Sequence, residues 1–301
     1  MGPTVRLATR GSPLALWQAE RVGSILSDRA GRAGQSLKVE LVVMSTRGDI
    51  DARAPLSSIG GQGVFVKEIQ QAVLDGRADC AVHSAKDLPS FTPDGLVIAC
   101  VPERADPRDA LVGMSFDELR PGATVATGSP RRRAQLAWLR PDLTFRELRG
   151  SISTRVDKSV EIGAGVVAMA AAVRLGITDR VAYVFEPTVM LPQVAQGAIA
   201  VECRADDGEV RELLGAAEDR IARLAVDAER AFLAQLGGGC NVPVAAFAQV
   251  TKNVISLEGM IASHDGRIVL RRTASGTNPV EVGTRLAQEL IREAGGKMLD
   301  I

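Results

Sequence analysis

Two short motifs in the chain could each bind an anion. Residues 11–13 and 128–130 both read Gly-Ser-Pro, and each follows a predicted strand and opens a predicted helix. Serine suits the cap of a helix and proline its first turn, and the free N–H groups and positive dipole end of a helix start attract anions. Arg10 lies beside the first motif, and arginines 131–133 follow the second. A single such start usually indicates only a well-capped helix, but the repetition beside arginine favours anion binding.

Arginine is concentrated after the second motif. Residues 131–155 contain seven arginines, no lysine and two acids, so the segment carries 7 − 2 = +5 in a chain with no net charge. Arginine without lysine favours planar, bidentate recognition of carboxylate or phosphate. A nucleic-acid site is the rival interpretation, but only Trp138 and Phe145 are interleaved as platforms for bases. Several small carboxylates are therefore the better predicted ligand.

A polar segment, His-Ser-Ala-Lys-Asp-Leu-Pro at 83–89, follows an apolar predicted strand. Lys86 and Asp87 would then lie at the carboxyl end of a strand, where open α/β sheets bind ligands. An ordinary surface ion pair is the commoner origin of adjacent lysine and aspartate. His83 by itself is more typical of a structural residue than of a catalytic one.

Two glycine-rich segments differ in the function that they indicate. Residues 60–63, Gly-Gly-Gln-Gly, lack the Gly-Lys-Ser/Thr ending of a phosphate-binding loop, so they indicate a flexible loop better than a nucleotide site. Residues 237–241, Gly-Gly-Gly-Cys-Asn, end a predicted helix. They could form a simple helix cap with an incidental cysteine, or leave one thiol accessible for covalent attachment. The residues alone leave both readings open.

Composition narrows the class of protein. The 301 residues suffice for two or three domains, and zero net charge with 3% aromatic residues argues against a general nucleic-acid binder. Only two histidines and four scattered cysteines are present, without a C-x-x-C spacing, which disfavours a metal site, a dithiol and a disulfide framework. The N-terminus lacks a signal-peptide pattern, and the apolar run 163–173 is too short to span a bilayer. We therefore expect a soluble, cytoplasmic protein.

Short β-like runs alternate with amphipathic helical stretches, and the alternation repeats after residue 108. This order predicts parallel or mixed sheets covered by helices. The predicted strands are 5–8, 37–44, 79–83, 96–101, 124–126, 144–147 and 165–170, and the predicted helices are 13–26, 64–74 and 131–139.

The last third of the chain has a different pattern. The predicted elements are a helix at 217–236, strands at 242–250, 254–263 and 267–274, and a helix at 278–293, with a hairpin turn at 264–267. The predicted fold class is therefore α/β, with two hinged, solute-binding-protein-like domains of mixed sheets and a small C-terminal α+β domain. The predicted domains are 1–101 with 197–215, then 102–196, then 216–301.

The motifs together resemble the porphobilinogen deaminase (hydroxymethylbilane synthase) family. The matching stretches lie between residues 5 and 247, and the combination is specific although no single piece is. They are RLATRGSPLALWQA, STRGD, FVKEI, ADCAVHSAKDLP, DPRDA, TGSPRRRAQL, LRGSISTR, QVAQGAIAVECR and DAERAFLAQLGGGCNVP.

The resemblance implies a transferase of porphyrin and heme biosynthesis with three domains. It implies a dipyrromethane cofactor bound covalently to Cys240, onto which four porphobilinogen molecules are condensed with release of ammonia before the linear hydroxymethylbilane is hydrolysed off. The implied partners are porphobilinogen and the growing oligopyrrole chain, with no nucleic acid, no membrane and no metal. The implied protein is a cytoplasmic monomer.

The resemblance also implies roles for individual residues. Asp87 matches the catalytic aspartate, and a carboxylate suits a substrate that becomes an azafulvenium-like cation. The implied cofactor-binding residues besides Cys240 are Ser84, Lys86, Asp87, Thr127, Ser129, Arg131, Arg132, Arg155 and Gln196. The implied substrate-binding residues are Arg10, Ser12, Phe65, Arg149, Arg155 and Arg174.

The chain departs from the family pattern at several positions. Gln62 stands where many members have lysine, Ala195 where a glycine precedes Gln196, and Gly237 where an acid precedes the cysteine segment. The segment after Lys158 is also short. We expect retained activity with altered mobility near 57–64 and 157–165.

Two other classes remain as alternatives. A non-catalytic carboxylate-binding protein of solute-binding type would share the hinged pair of domains, but the missing signal peptide and the glycine-framed cysteine stand against it. An arginine-rich nucleic-acid binder comes third, and steep salt dependence of affinity would support it.

Overall fold

The computed structural model of the chain describes residues 2–45, 66–148, 150–237 and 243–293. It divides into two compact units. The first comprises Met1–Arg104 and Ala198–Arg223, and the second comprises Ala105–Gly197 and Leu224–Ile301.

The first unit is built on a five-stranded mixed sheet. Its strands are β1 (Thr4–Arg10), β2 (Lys38–Met44), β3 (Cys80–Ser84), β4 (Leu96–Cys100) and β10 (Ile199–Arg204), and its helices are α1 (Pro13–Arg32), α2 (Lys67–Leu74) and α6 (Gly208–Gly215). The spatial order is β2-β1-β3-β10-β4. β1, β2 and β3 are parallel, whereas β10 runs antiparallel to both of its neighbours. The carboxyl ends of three strands therefore share one edge of the sheet.

Helix α1 begins as the first Gly-Ser-Pro motif predicts. Ser12 Oγ accepts a hydrogen bond from the Ala15 N–H at 3.3 Å, and Pro13 occupies the first turn. Val22 and Leu26 are fully buried against the sheet. The helix continues to Arg32 and not to residue 26, because its last turns are largely exposed and lack the apolar spacing on which the prediction relied.

The second unit contains a sheet of the same design. Its strands are β5 (Asp109–Val112), β6 (Thr124–Ala126), β7 (Thr144–Arg146), β8 (Ala164–Ala168) and β9 (Val181–Val184), and its helices are α3 (Pro130–Leu139), α4 (Ile152–Ile162) and α5 (Met169–Arg174). The order is β7-β6-β8-β5-β9, with β7, β6 and β8 parallel and β5 antiparallel to its neighbours. β6 thus corresponds to β1, so the two Gly-Ser-Pro motifs occupy equivalent positions.

Several elements differ from the prediction. The strand expected at 165–170 ends at Ala168, and the chain continues directly as helix α5. Strands β5, β9 and β10 and helices α4 and α6 were not predicted. β5 and β10 are almost wholly buried, so they show no alternation of apolar and polar residues that would have indicated a strand.

A second, antiparallel sheet completes the second unit. It consists of β11 (Val244–Thr251), β12 (Val254–Ala262) and β13 (Val269–Gly276), with α8 (Pro279–Glu293) packed against β12 and β13. Helix α7 (Arg220–Gln235) buries Phe232 near Gly259, where a Cβ would lie 2.7 Å from the phenylalanine ring. The hairpin turn predicted at 264–267 connects β12 to β13. The α/β class with mixed sheets and a small separate sheet is confirmed.

Within the described ranges, every helix is too short or too polar to cross a membrane. The same part of the chain holds no group of three metal-ligating side chains that could bind a metal ion.

Candidate active site

A cavity in the first unit lies at the carboxyl ends of β1 and β3. Arg10 ends β1 and Ser12 caps the following helix, while Ser84 ends β3 and Asp87 lies on a 3-10 turn directly after it. All four side chains line the cavity, together with Gln18. Parallel strands end at one edge of a sheet, so residues far apart in sequence meet there. Arg10, Ser12, Ser84 and Asp87, which the resemblance implies as site residues, are brought together in this way.

The cavity combines a carboxylate with hydrogen-bond donors and a guanidinium group. Asp87 is exposed, Arg10 and Ser12 are half-buried, and Val66 and Ile69 form an apolar wall. Gln18 Nε2 donates to Ser84 Oγ at 2.8 Å, which fixes that hydroxyl. Such a site can bind an anionic ligand through Arg10 and the α1 N-terminus while presenting Asp87 to a cationic group.

A buried polar group lies behind the cavity. His83 lines the cavity from β3, and its Nε2 lies 3.1 Å from Glu202 Oε2 on β10 without making an aligned hydrogen bond. Gln70 Nε2 donates to the same Glu202 oxygen at 2.9 Å. Both His83 and Glu202 are almost completely buried. Sequence reasoning did not find Gln70 and Glu202, since they are far from His83 along the chain.

A second group of site residues lies at the start of α3 in the second unit. Arg131 Nη1 and Arg132 Nη2 lie 2.6 and 2.7 Å from the two carboxylate oxygens of Asp109. Arg131 Nη1 also donates to the Leu191 carbonyl at 2.8 Å, and Arg132 Nη1 donates to the Val166 carbonyl at 2.9 Å. The two arginines that the resemblance implies for cofactor binding are therefore held by Asp109, a residue that sequence reasoning missed.

Gln196 joins this group through a hydrogen bond from its Nε2 to Asp109 Oδ1 at 2.9 Å. The residue before it, Ala195, has a φ of 57°, a conformation that favours glycine. This explains why the family pattern has glycine where this chain has alanine. The Ala195 N–H donates to Glu229 Oε2 at 2.6 Å, and Glu229 Oε1 accepts from the Ala248 N–H at 2.9 Å. Glu229, which is fully buried on α7, is a second residue that the sequence did not reveal.

The charges of this group are coupled. Burial by itself would raise the pKa of Asp109, but the guanidinium groups of Arg131 and Arg132 and the Gln196 amide outweigh it and hold the pKa well below its usual value. Burial lowers the pKa of Arg132, and the neighbouring charges of Arg131 and Arg155 lower it further against the attraction of Asp109. Arg155 is therefore electrostatically part of the group.

The remaining implied residues have clear positions. Thr127 Oγ1 accepts from the Ser129 N–H at 3.2 Å, and Ser129 Oγ accepts from the Arg132 N–H at 3.4 Å, which caps α3 as the sequence predicts. Arg174 donates to the Gly197 carbonyl at 2.6 Å, and burial lowers its pKa to about 10. Lys86 is half-buried beside Asp87.

Phe65, Arg149 and Cys240 lie outside the described residues, as does Gln62. Gly237, which precedes the cysteine segment, has a φ of 65° and ends α7 as a helix cap. The other three cysteines are fully buried. Burial raises the pKa of Cys100 to about 12 and that of Cys203 to about 11, so these thiols stay protonated and unreactive near neutral pH.

The described arginines of the segment 131–155 have different surroundings. Arg140 pairs with Asp142 at 2.7 Å, and Arg133 and Arg146 are exposed. The excess charge of the segment is also partly compensated by Asp109, which lies outside it. Spacing along the chain could not show this compensation, because Asp109 on β5 comes close to the segment only when the strands pair in the sheet.

The donor set of the second unit fits a cofactor with carboxylate side chains. Arg131 and Arg132 are both at least nine-tenths buried, share one acid, and stand at the N-terminus of α3. Arg131 Nε is buried without a hydrogen-bond partner. Guanidinium groups with remaining donor capacity suit carboxylates of the acetate and propionate kind.

Comparisons with known proteins agree with this chemistry. Residues 5–212 match the family model "Porphobilinogen deaminase, dipyromethane cofactor binding domain", and residues 223–292 match "Porphobilinogen deaminase, C-terminal domain". The chain belongs to the porphobilinogen deaminase family. It is 47% identical over 305 residues to the porphobilinogen deaminase of Roseiflexus sp. (strain RS-1), covering 99% of both chains. It is 44% identical to that of Nitratidesulfovibrio vulgaris (strain DSM 19637 / Miyazaki F), covering 97% of this chain and 95% of the other.

Family membership decides between the classes left open by the sequence. The chain is a transferase of porphyrin biosynthesis with a dipyrromethane cofactor, not a non-catalytic carboxylate-binding protein.

Two solved structures are weakly similar to this chain. A YaeC-family lipoprotein from Enterococcus faecalis V583 is 14% identical with a TM-score of 0.42, covering 72% of this chain and 92% of its own. A Bordetella pertussis solute receptor, DctP7, described as binding pyroglutamic acid, is 13% identical with a TM-score of 0.40, covering 71% and 77%.

Proposed function

We propose that this chain condenses four porphobilinogen molecules into hydroxymethylbilane and that Asp87 is the catalytic residue. The observation that carries this assignment is the cavity of the first unit, where Asp87 faces Arg10 and Ser12 in a member of this family. Loss of ammonia from porphobilinogen leaves positive charge on the pyrrole. A nearby carboxylate stabilises that charge and accepts a hydrogen bond from the pyrrole N–H.

Arg10 and Ser12 orient the substrate beside Asp87. The guanidinium group of Arg10 can hold a substrate carboxylate in bidentate geometry, and the α1 N-terminus capped by Ser12 adds a positive dipole end at the same place. Binding the carboxylate side chains of the substrate in this way leaves its aminomethyl group free to face Asp87. Phe65 and Arg149 are proposed as further substrate contacts, with Arg155 and Arg174.

The cofactor is proposed to attach to the Cys240 thiol and to be held by charged and polar side chains. When bound, dipyrromethane supplies the primer pyrrole onto which the product chain is built. Arg131 and Arg132 bind its carboxylates, and Arg155 adds positive charge near Arg132. The remaining proposed contacts are Ser84, Lys86, Asp87, Thr127, Ser129 and Gln196.

We also propose the organisation inferred from sequence. The chain forms three domains, 1–101 with 197–215, 102–196 and 216–301, and works as a cytoplasmic monomer. The separate sheets of the second unit support a division between the second and third domains.

Intact mass measurement tests the function directly. The purified protein is expected to exceed its sequence mass by two porphobilinogen units less two molecules of ammonia. Cys240→Ser should remove the excess, while Cys203→Ala, a matched control at a buried thiol, should retain it. An active preparation without the adduct, or an adduct that survives Cys240→Ser, would contradict the proposal.

A further inference from the structure

Asp109 has an unusual set of partners for one carboxylate. It is fully buried at the start of β5, and five hydrogen bonds or ion-pair contacts reach its two oxygens from Arg131, Arg132 and Gln196. Oδ2 faces Arg131, whereas Oδ1 is shared by all three residues. Asp109 therefore contacts both guanidinium groups and orients them together with the Leu191 and Val166 carbonyls.

The charges at this place do not balance. Two buried guanidinium groups face one carboxylate, and in the described part of the chain no other acid lies within 4 Å of either arginine. Both arginines also lie in the first turn of α3, which contains no acid and where the helix dipole disfavours cations. A buried excess charge is unfavourable unless a counter-charge arrives.

One hydrogen-bond donor of the arginine pair also lacks a partner. Arg131 Nε is buried with no hydrogen-bond partner. Burial lowers the pKa of Arg132, and the charges of Arg131 and Arg155 lower it further against the attraction of Asp109. Asp109 leaves the arginine pair with one uncompensated positive charge, and Arg155 adds positive charge near Arg132, so the place favours a carboxylate.

We propose that Asp109 is the positioning residue of the arginine pair, orienting Arg131 and Arg132 and reducing their net charge so that together they bind a single carboxylate of the pyrrole chain. The inference rests on the proposed function, because it takes the bound carboxylate to be one of the cofactor side chains. Its two oxygens contact Arg131, Arg132 and Gln196, so Asp109 is assigned no contact with substrate or reacting atoms. It acts through the two arginines.

Aspartate is the side chain that this role requires. Asparagine would replace one acceptor oxygen by an N–H donor, which would point at a guanidinium group and leave the full charge of the pair. Glutamate would keep the charge but displace both oxygens by one methylene group. The two substitutions therefore separate the effect on charge from the effect on geometry.

The experiment compares Asp109→Glu, Asp109→Asn and the control Asp106→Asn. Asp106 lies in the same segment but pairs with Arg108 at 2.7 Å, away from the arginine pair. Each full-length protein is purified as expressed, its folding is checked by circular dichroism, and the two-pyrrole adduct is quantified by intact mass. The thermal midpoint is then measured with and without inorganic phosphate.

Asp109→Glu is expected to fold but to carry the adduct at a level at least about tenfold lower, because the displaced carboxylate no longer orients the two guanidinium groups. Asp109→Asn is expected to gain a phosphate-dependent rise in thermal midpoint that wild type and Asp106→Asn lack. Normal adduct levels in a folded Asp109→Glu variant, or no phosphate response in a folded Asp109→Asn variant, would overturn the proposal. If Asp109→Asn does not fold, the adduct level of Asp109→Glu tests the proposal. If neither variant folds, Asp109 has a structural role and the proposal is overturned. Absence of the adduct from wild type would instead reject the proposed function.

Discussion

At the scale of single residues, Asp87 of the first unit and Asp109 of the second unit differ in their exposure to solvent. Asp87 is exposed to its cavity, whereas Asp109 is fully buried beneath two guanidinium groups. An exposed carboxylate can meet a substrate, and a buried, saturated one can only organise its neighbours. Exposure therefore separates the proposed catalytic residue from the positioning residue, although both are aspartates at the ends of strands.

Asp87→Asn should fold normally and yet hardly turn over. Asp87 contributes little buried contact, so the free energy of unfolding should change by less than about 0.5 kcal/mol. The steady-state rate of porphobilinogen consumption should fall by about 100-fold to 10,000-fold, because the amide cannot stabilise the cation. Asp94→Asn, at another exposed aspartate of the same unit, is the matched control and should keep full activity. Near-normal turnover of Asp87→Asn would remove this residue from the mechanism.

At the scale of elements, the close approach of α4 to β8 helps to place the arginine pair. A Cβ on Gly165 would lie 1.9 Å from Ser159 Oγ, so only glycine allows the helix to pack this near the strand. The next residue on that strand, Val166, offers its carbonyl to Arg132 Nη1. Packing between these two elements is therefore linked to the geometry of the site.

Gly165→Ala should destabilise the protein because the added methyl group must displace α4 or β8. We expect the free energy of unfolding to fall by about 1–3 kcal/mol, measured by urea denaturation. Gly31→Ala makes the same chemical change within α1, where nothing lies within 4 Å of the new methyl group. It should stabilise the protein by about 0.4–1 kcal/mol. If Gly165→Ala and wild type have the same free energy of unfolding, the sheet accommodates the added methyl group without loss of stability, which would contradict this prediction.

At the scale of the whole molecule, neutrality conceals an uneven distribution of buried charge. The pKa values of Asp79, Asp106 and Asp109 are all lowered by arginine partners, although burial opposes the shift. At the other end of the range, burial raises the pKa of Cys100 and Cys203 to about 12 and about 11. The carboxylates therefore limit stability at low pH, and the buried thiols limit it at high pH.

The thermal midpoint should be nearly flat from about pH 5 to pH 8 and fall on both sides. A carboxylate whose folded pKa is depressed contributes stability above its unfolded pKa and loses it as pH falls through the folded pKa. A buried thiol whose pKa is raised contributes stability that is lost as pH rises from its unfolded value through about 11 or 12. Calorimetric scans across this pH range provide the measurement.

Repeating the acid series in about 0.5 M NaCl separates buried from exposed pairs, because salt screens surface charges far more than buried ones. The acid decrease should persist if Asp109 is its main source. Its disappearance in salt would attribute the decrease to exposed pairs such as Arg140 with Asp142.

The local features of this protein could be predicted from sequence. Ser12 and Ser129 cap helices as expected, and Gly237 ends one, because capping depends on residues adjacent in the chain. The family, the candidate catalytic Asp87 and the alternation of strands and helices were likewise available from motifs and periodicity. The strands β5 and β10 were not predicted, because they are almost wholly buried and therefore lack the alternation of apolar and polar residues that indicates a strand.

The sequence by itself determined the capped helix starts, the family and the candidate residues. Only the tertiary structure decided how those residues are held: Asp109 beneath Arg131 and Arg132, and Glu202 between His83 and Gln70. The physical reason is that caps and turns satisfy backbone groups within a few residues, whereas buried charges find partners only when distant strands enter one sheet. No spacing along the chain records which strands will be neighbours.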